Sequence, residues 1–299
     1  RSETHQNVPL AVTALSGDAL QNAGANRIND LSGVVPNVAV REQANGIQLF
    51  MRGVGANTGA SPGDEPSIST YVDGIYNPFG ASVAALALPN VERVEILKGP
   101  QGTLFGRNST GGIIQVVTKD PADHLTGEGS VGYANYNTYT IKGYVSVPLA
   151  QDLGIGVSVY HEKQNDGYGR NVTRGNDIFL RNDFDIRAKL LWTPGDTTEI
   201  RLIGEYHRFK GDGPQFQLAQ GVVSAFDGQS TYPGAFNTQG NFNGINVLHD
   251  YVVSGKIDQD IGDLHFSNQT TYRRYENQTR QDLGTTAAPF VAAGLPGDA

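Results

Sequence analysis

Cysteine is absent from this chain of 299 residues. A disulfide framework, a cysteine zinc site and a thiol nucleophile are therefore excluded. Cations are in short supply too. The 22 Lys and Arg stand against 30 Asp and Glu, a net charge of −8, so no basic surplus is left to hold nucleic acid. No apolar run approaches the roughly 20 residues that a membrane-crossing helix needs. Apolar residues make up only 38% of the chain, while Gly alone contributes 38 residues. That balance suits alternating β-strands. Strands that cross a membrane escape hydropathy, because only every second residue faces lipid. No secretory leader opens the chain, and Arg1 stands where Met would, so a processed start is expected.

Catalytic signatures are missing as well. Gly53-Val54-Gly55 lacks the third glycine of a dinucleotide fold, and the Gly-rich stretch 99–110 has no GK[ST] for a phosphate loop. Neither G-x-S-x-G nor H-E-x-x-H occurs. The six His residues at 5, 124, 161, 207, 249 and 265 are scattered singly. No enzyme activity, cofactor or resident metal is expected.

Composition changes near Asp120-Pro121, which divides the chain into 1–121 and 122–299. The first part reads as a compact α+β unit. Ser16 is placed to cap a short helix over 17–23, with Asp18 in its first turn and Gly24 as its stop. A second short helix fits 28–34, ended by Pro36. Strands are expected at 38–42, 48–52, 67–72, 91–97 and 113–118, the last two flanking a Gly-, Pro- and Asn-rich loop.

The second part alternates with period two. Seven strands are expected, at 127–134, 138–149, 153–162, 183–192, 199–209, 250–260 and 264–275. Short turns at 150–152, 194–196 and 261–263 alternate with long polar connections at 163–182 and 210–249. That is the pattern of an antiparallel membrane barrel with short periplasmic turns and longer external loops; the three-residue connection 135–137 departs from it. A Lys or Arg facing lipid at mid-bilayer costs about 2–4 kcal/mol. Lys142, Asp185, Arg187, Lys189, Glu199, Arg201, Glu205, Lys256 and Asp258 are therefore assigned to the lumen. Tyr139, Ile141, Phe184, Ile186, Ile200, Leu202, Tyr206, Tyr251 and Val253 are assigned to lipid. Trp192 sits beside a periplasmic turn; Tyr160, Tyr206, Tyr251 and Tyr272 sit toward the external ends, as aromatic girdles do. A soluble β-sandwich also alternates and competes with the barrel on pattern alone. Seven strands close neither a small barrel nor one wide enough to hold a 120-residue plug, which takes about 22 strands. The chain reads as the N-terminal part of a longer barrel, with an open edge at its seventh strand.

Specific wording then narrows the class. Residues 7–20 read NVPLAVTALSGDAL, 49–55 LFMRGVG, 69–76 STYVDGIY, and 91–119 VERVEILKGPQGTLFGRNSTGGIIQVVTK. Together these resemble the plug domain of TonB-dependent outer-membrane receptors. The positions carrying the resemblance are Gly53, Asp73, Gly74, Gly99, Pro100, Gly102, Gly106, Gly111 and Gly112. Read by themselves, Asp73-Gly74 supplies a turn after its strand, Pro100 stiffens the loop, and the later glycines permit positive φ and close packing.

The resemblance implies an α+β plug inside a transmembrane barrel. It implies plug cations (Arg52, Arg93, Lys98, Arg107) paired with wall carboxylates, for which Glu199, Glu205 and Asp258 are candidates. It implies ligand capture by plug apices at 56–66 and 77–85 and by external loops. The loop 210–249 carries Phe216, Phe226, Tyr232, Phe236 and Phe242 among amides, a composition suited to stacking on a chelate, sugar or aromatic ring. It implies as partners TonB with the inner-membrane ExbB–ExbD complex, the lipid of the bacterial outer membrane, and a scarce nutrient, foremost a ferric siderophore. Glycans, other organics, or a signalling or phage-receptor role without uptake stand as alternatives. The TonB box is not visible.

Overall fold

The computed structural model describes residues 11–43, 46–55, 66–78, 90–106, 108–212, 217–224, 228–280 and 282. It contains a small mixed α/β unit set against a seven-stranded antiparallel sheet.

The small unit starts with β1 (Ala11–Ser16), which runs straight into helix α1 (Gly17–Asn22). Ser16 Oγ accepts the Ala19 N–H at 3.2 Å, the side-chain cap that its position foretells, and Gly24 ends the helix with φ of 70°. The second helical segment is a 3-10 turn at Ile28–Asp30 that passes into α2 (Leu31–Val34). Strands β2 (Val38–Gln43), β3 (Gly46–Met51) and β4 (Val54–Gly55) form one small sheet. Strands β5 (Ile68–Val72), β6 (Ile75–Asn77), β7 (Val91–Lys98) and β8 (Gly112–Thr118) join β1 in another, in the order β1-β7-β8-β5-β6. Between β7 and β8 the Gly-rich loop holds a single helical turn, α3 (Gly102–Phe105). Leu20, Ile28, Leu31, Val35, Met51, Ile68, Val94, Ile96, Ile114 and Val116 are buried together as its core. Gly112 shows why that loop needs glycine. Its φ is 144°, and a Cβ there would lie 2.5 Å from the Leu97 carbonyl oxygen.

The large sheet is a meander of β9 (Thr126–Ala134), β10 (Thr138–Ala150), β11 (Leu153–Gln164), β14 (Arg181–Trp192), β15 (Thr198–Gly211), β16 (Ile245–Ile261) and β17 (Leu264–Arg280). All seven expected strands are present. β16 and β17 each extend about five residues further at the long-loop end than expected, through Ile245–His249 and through the wholly polar Glu276–Arg280. The 163–182 connection is not structureless; it folds into a hairpin of β12 (Gly169–Asn171) and β13 (Asn176–Ile178).

One face of the large sheet looks onto the small unit and buries Ser146, Ser158, Tyr160, Asp183, Asp185, Arg187, Lys189, His207, Asp250 and Ser254. The opposite face carries Ile141, Ile186, Leu202, Tyr251 and Val253 and is exposed, Val253 at 63%. Nothing among the described residues packs on it, which is what a lipid-facing wall requires and a sandwich forbids. Tyr160 corrects the girdle assignment. It is fully buried on the inner face, sharing the period-two row of Ser158 and Glu162. No described helix is long and apolar enough to cross a membrane, a fact that says nothing of strands.

Candidate functional site at the plug and wall interface

The small unit is the plug of this sheet. Its apolar core is its own, and its described buried apolar junction with the wall is one contact, Ile75 against Ile203 and Val252. Elsewhere it is held by buried polar groups, and Asp73 is central among them. Val72 pairs with Ile75 across a two-residue turn, with φ of 48° at Asp73 and 78° at Gly74. Asp-Gly is favoured in such type I′ turns because both central residues need positive φ. The turn thrusts the Asp73 carboxylate at the wall. Oδ1 accepts the Thr118 N–H at 2.9 Å and Oδ2 the Thr118 hydroxyl at 2.8 Å. From β14, Arg187 Nη2 lies 2.6 Å from Oδ2 and Lys189 Nζ 3.3 Å from Oδ1.

Lys189 also donates to the Thr118 carbonyl at 2.9 Å and to Asp120 at 3.0 Å. Arg201 of β15 reaches Asp120 at 3.1 Å. Arg187 and Lys189 are each 5% exposed. Isolated charges at that depth would be untenable; here each finds an opposite charge and a hydrogen bond. Burial pushes the Asp73 carboxyl up, but Arg187, Lys189 and the two Thr118 donors outweigh it and hold the group below the usual carboxylate range. Asp120 behaves likewise: burial raises it, and Lys189 and Arg201 bring it below its ordinary value.

A second anchor lies beyond it. Arg27, 4% exposed, projects from the start of the 3-10 turn. It meets Glu162 at 2.6 Å and Asp183 at 3.1 Å. The Tyr160 hydroxyl lies 3.3 Å from its Nη2. Burial lowers the Arg27 pKa, and the charges of Asp183 and Glu162 more than restore it. Its neighbour Asn26 accepts a hydrogen bond from Lys142 of β10. A third anchor is Arg273 of β17, paired with Asp250 and donating to the Tyr76 carbonyl at 3.3 Å.

The residues named from sequence fall differently. Arg52 sits exposed in the β3–β4 turn with φ of 52°. Arg93, 41% exposed at its side chain, pairs with Glu92 and Glu95 of its own strand. Lys98 donates to the Pro36 carbonyl within the plug at 2.9 Å. Arg107 lies outside the described residues. Glu205 pairs with Arg187, Glu199 with Arg201, and Asp258 with Lys256 at 2.8 Å. These are wall–wall pairs. Among the described residues, then, the expected polarity is reversed at the central clamp, where the wall brings the cations and the plug the carboxylates. The signal was present. Arg187, Lys189 and Arg201 are inward cations that demand partners, and Asp73 and Asp120 are the plug acids nearest in the motif-bearing strands. Two described plug cations are of the expected kind: the buried Arg27, and Lys119, which meets Glu128 of β9 at 2.6 Å at an exposed edge.

Of the signature glycines, Gly53, Gly74, Gly99, Gly106 and Gly112 have positive φ. Gly102 opens α3 just after Pro100, and Gly111 sits against Ile68 and Val54. The loop aromatics do not converge. Phe236 is exposed beside Tyr168, whose ring stacks on Phe179 at 4.3 Å. Phe242 lines a separate cleft with Arg174 and Arg280. Tyr232 is half-buried. Phe216, Phe226, residues 56–65 and residues 79–85 lie outside the described residues. Among the described residues no cluster of three or more His, Asp or Glu could hold a metal ion.

A small domain clamped by buried ion pairs against a meander whose outer face is apolar and bare is the arrangement of a plugged membrane barrel. Residues 4–113 match the TonB-dependent Receptor Plug Domain family. The chain is 31% identical over 179 residues to the pesticin receptor of Yersinia pestis, covering 59% of this chain and 26% of that protein. It is 28% identical over 301 residues to the catecholate siderophore receptor Fiu of Escherichia coli K12, covering 95% and 36% respectively. The crystal structure of the ferric yersiniabactin uptake receptor FyuA from Yersinia pestis superposes with a TM-score of 0.76 at 21% identity, covering 90% of this chain and 41% of that one. Residues 4–113 are thus a TonB-dependent receptor plug domain, and the chain spans about a quarter to a third of the curated relatives it matches.

Proposed function

We propose that the whole protein imports a ferric siderophore across the bacterial outer membrane, with residues 1–121 as plug and 122–299 as the first strands of the barrel. The observation that carries this reading is the kind of junction between the two. The plug has its own apolar core and meets the wall mainly through ion pairs and hydrogen bonds. Such contacts reform after displacement without exposing a shared apolar core. That is what a gate moved by force from TonB, energised through ExbB–ExbD, requires. The ligand's class follows the relatives, whose names specify catecholate siderophore, ferric yersiniabactin and ferripyoverdine. The role is transport without covalent chemistry.

The test uses the full-length receptor. Its abundance in outer membranes is compared between iron-replete and iron-starved cells, and binding of ferric catecholate and ferric hydroxamate chelates is measured on purified protein. Induction by iron starvation with binding of at least one chelate supports the reading. Constant abundance and no chelate binding would turn it toward organic nutrients.

A further inference from the structure

We propose, resting on the transport reading above, that Asp185 of β14 is a second seat for Arg27, occupied when the plug steps one inward position toward the periplasm. Two buried groups lack partners in the seated plug. Asp185 is 5% exposed. Among the described residues it accepts no hydrogen bond and forms no ion pair. Arg27 is 4% exposed; its Nη2 meets Glu162 and Asp183, while its Nη1 is buried without a hydrogen-bond acceptor. A buried carboxylate and a buried guanidinium N–H that stay unmet each cost free energy. They are the two halves of one ion pair, held apart.

The wall sets them one step apart. Asp183 and Asp185 fall on the same face of β14, about 7 Å from each other along the strand. β14 runs from the long connection at Arg181 toward the short turn after Trp192, so Asp185 is the more periplasmic of the two. The charged and titratable groups described around Asp185 are already committed. Its cross-strand neighbours are Tyr160 of β11 and His207 of β15. The Tyr160 hydroxyl donates to Glu162 at 2.8 Å, and His207 Nε2 lies 2.8 Å from Asp183. Asp250 of β16 stands opposite His207 and is paired with Arg273 of β17. Arg187, the next inward residue of β14, holds Asp73 and Glu205. Lys142 of β10 donates to Asn26. The cation that fits Asp185 is therefore Arg27, whose present partners sit one position above it.

The central clamp is spaced for the same step. Asp73 meets Arg187 and Lys189, successive inward residues of β14. The next inward position is Leu191, and Arg201 of β15 stands opposite it. A shift of one position takes Asp73 off Arg187, keeps it at Lys189 and brings it to Arg201. Both anchors re-form with charges that the wall already carries. The plug thus leaves its seat in stages, each with its own ion pairs, and less force is needed at any one stage.

The experiment uses the full-length receptor in whole cells and reads the plug's position without altering Arg27. Asn26 is bonded to Lys142, and Tyr144 is the next inward residue of β10 toward the short turn. N26C/Y144C is treated with a short dithiol cross-linker, and the linked 26–144 peptide is quantified. With ferric catecholate or ferric hydroxamate chelate added, linkage in energised cells should be at least threefold that in cells treated with a protonophore. D185N in the same background should remove that rise. D185N alone should cut chelate uptake at least fivefold, with chelate affinity and resting plug proteolysis at wild-type values, and D185E should restore uptake. Undiminished linkage and uptake with D185N overturn the proposal. So does faster resting proteolysis of D185N, which would make Asp185 a contact of the seated plug only. A receptor that binds neither chelate yet shows the Asp185-dependent rise in energised cells keeps the proposal and refutes the siderophore reading alone.

Discussion

Replacing Asp73 by Asn keeps the side chain's shape and removes its charge. Arg187 and Lys189 then lose their shared plug partner at a depth where water cannot substitute. Removing one member of a buried pair costs on the order of 3–5 kcal/mol. Glu205 and Asp120 remain beside the two cations, so the lower end is expected. In the full-length receptor, D73N should loosen the plug, read as faster proteolysis between β5 and β8 and a lower first thermal transition. Arg93→Ala and Arg52→Ala should stay within about 1 kcal/mol, as exposed charges do. Equal protease sensitivity of D73N and R93A would refute the clamp. The same carboxylates make the seat pH-dependent. Asp73 and Asp120 both titrate below their ordinary values when folded. The stability they confer is fully present above the unfolded carboxylate value near 3.9 and is lost as pH falls through the lower folded values. Plug proteolysis by an acid-active protease should accelerate below about pH 4, and D73N should flatten that dependence. A wild-type profile as flat as the variant's would remove Asp73 from the account.

At the scale of the element, the Asp73-Gly74 turn aims the clamp. Gly74 has φ of 78°, and a Cβ there would lie 2.8 Å from Gln269 Oε1. Gln269 in turn donates to the Asp73 carbonyl at 3.1 Å. Gly74→Ala should cost about 1–2 kcal/mol of strain and shift plug protease sensitivity in the direction of D73N; an unchanged digestion rate would show the turn to be dispensable. This turn was legible from the dipeptide alone, as was the Ser16 cap, because both depend on neighbours within four residues. Strand β1 was not. Its residues 11–16 are small and mixed, and they become a strand only by pairing with β7 some 80 residues away. The parallel pairing of β5 with β8 was equally hidden, since no local periodicity encodes a partner beyond an intervening strand. In the wall, apolar alternation placed all seven strands. It failed at Tyr160, where the girdle rule was applied to a residue type and the row shared with Glu162 was passed over.

Across the whole molecule the external loops and the plug respond to different tests. Asn171 of the β12–β13 hairpin is buried and donates to the Gly240 carbonyl and to Asn243, while the Val172 N–H donates to the Thr238 carbonyl and the Thr238 N–H to the Arg170 carbonyl. The two long connections are thus one interlocked body. Deleting 221–240 would unseat the hairpin as well as any ligand contact, so point variants are the cleaner probes of capture. F236A and F242A should leave thermal unfolding unchanged; a fall in chelate affinity of threefold or more in either assigns that ring to capture, and unchanged affinity in both removes them from it.

Gating asks the opposite question, whether the plug must leave its seat. Residues 1–299 hold no cysteine, so an introduced pair in this part of the receptor meets no native thiol here. Asn26 of the plug and Lys142 of the wall are bonded side chain to side chain, within reach of a short dithiol link. In N26C/K142C, the cross-linked receptor should bind ferric chelate with wild-type affinity and transport almost none, and reduction should restore uptake. The plug's separate apolar core argues for movement as a body, with the ion pairs at Asp73, Asp120 and Arg27 breaking together. Sustained uptake through the linked receptor would instead require the ligand to pass by local rearrangement. The Gly-rich loop between β7 and β8, remote from Asn26 in sequence, is one plug segment that could provide it.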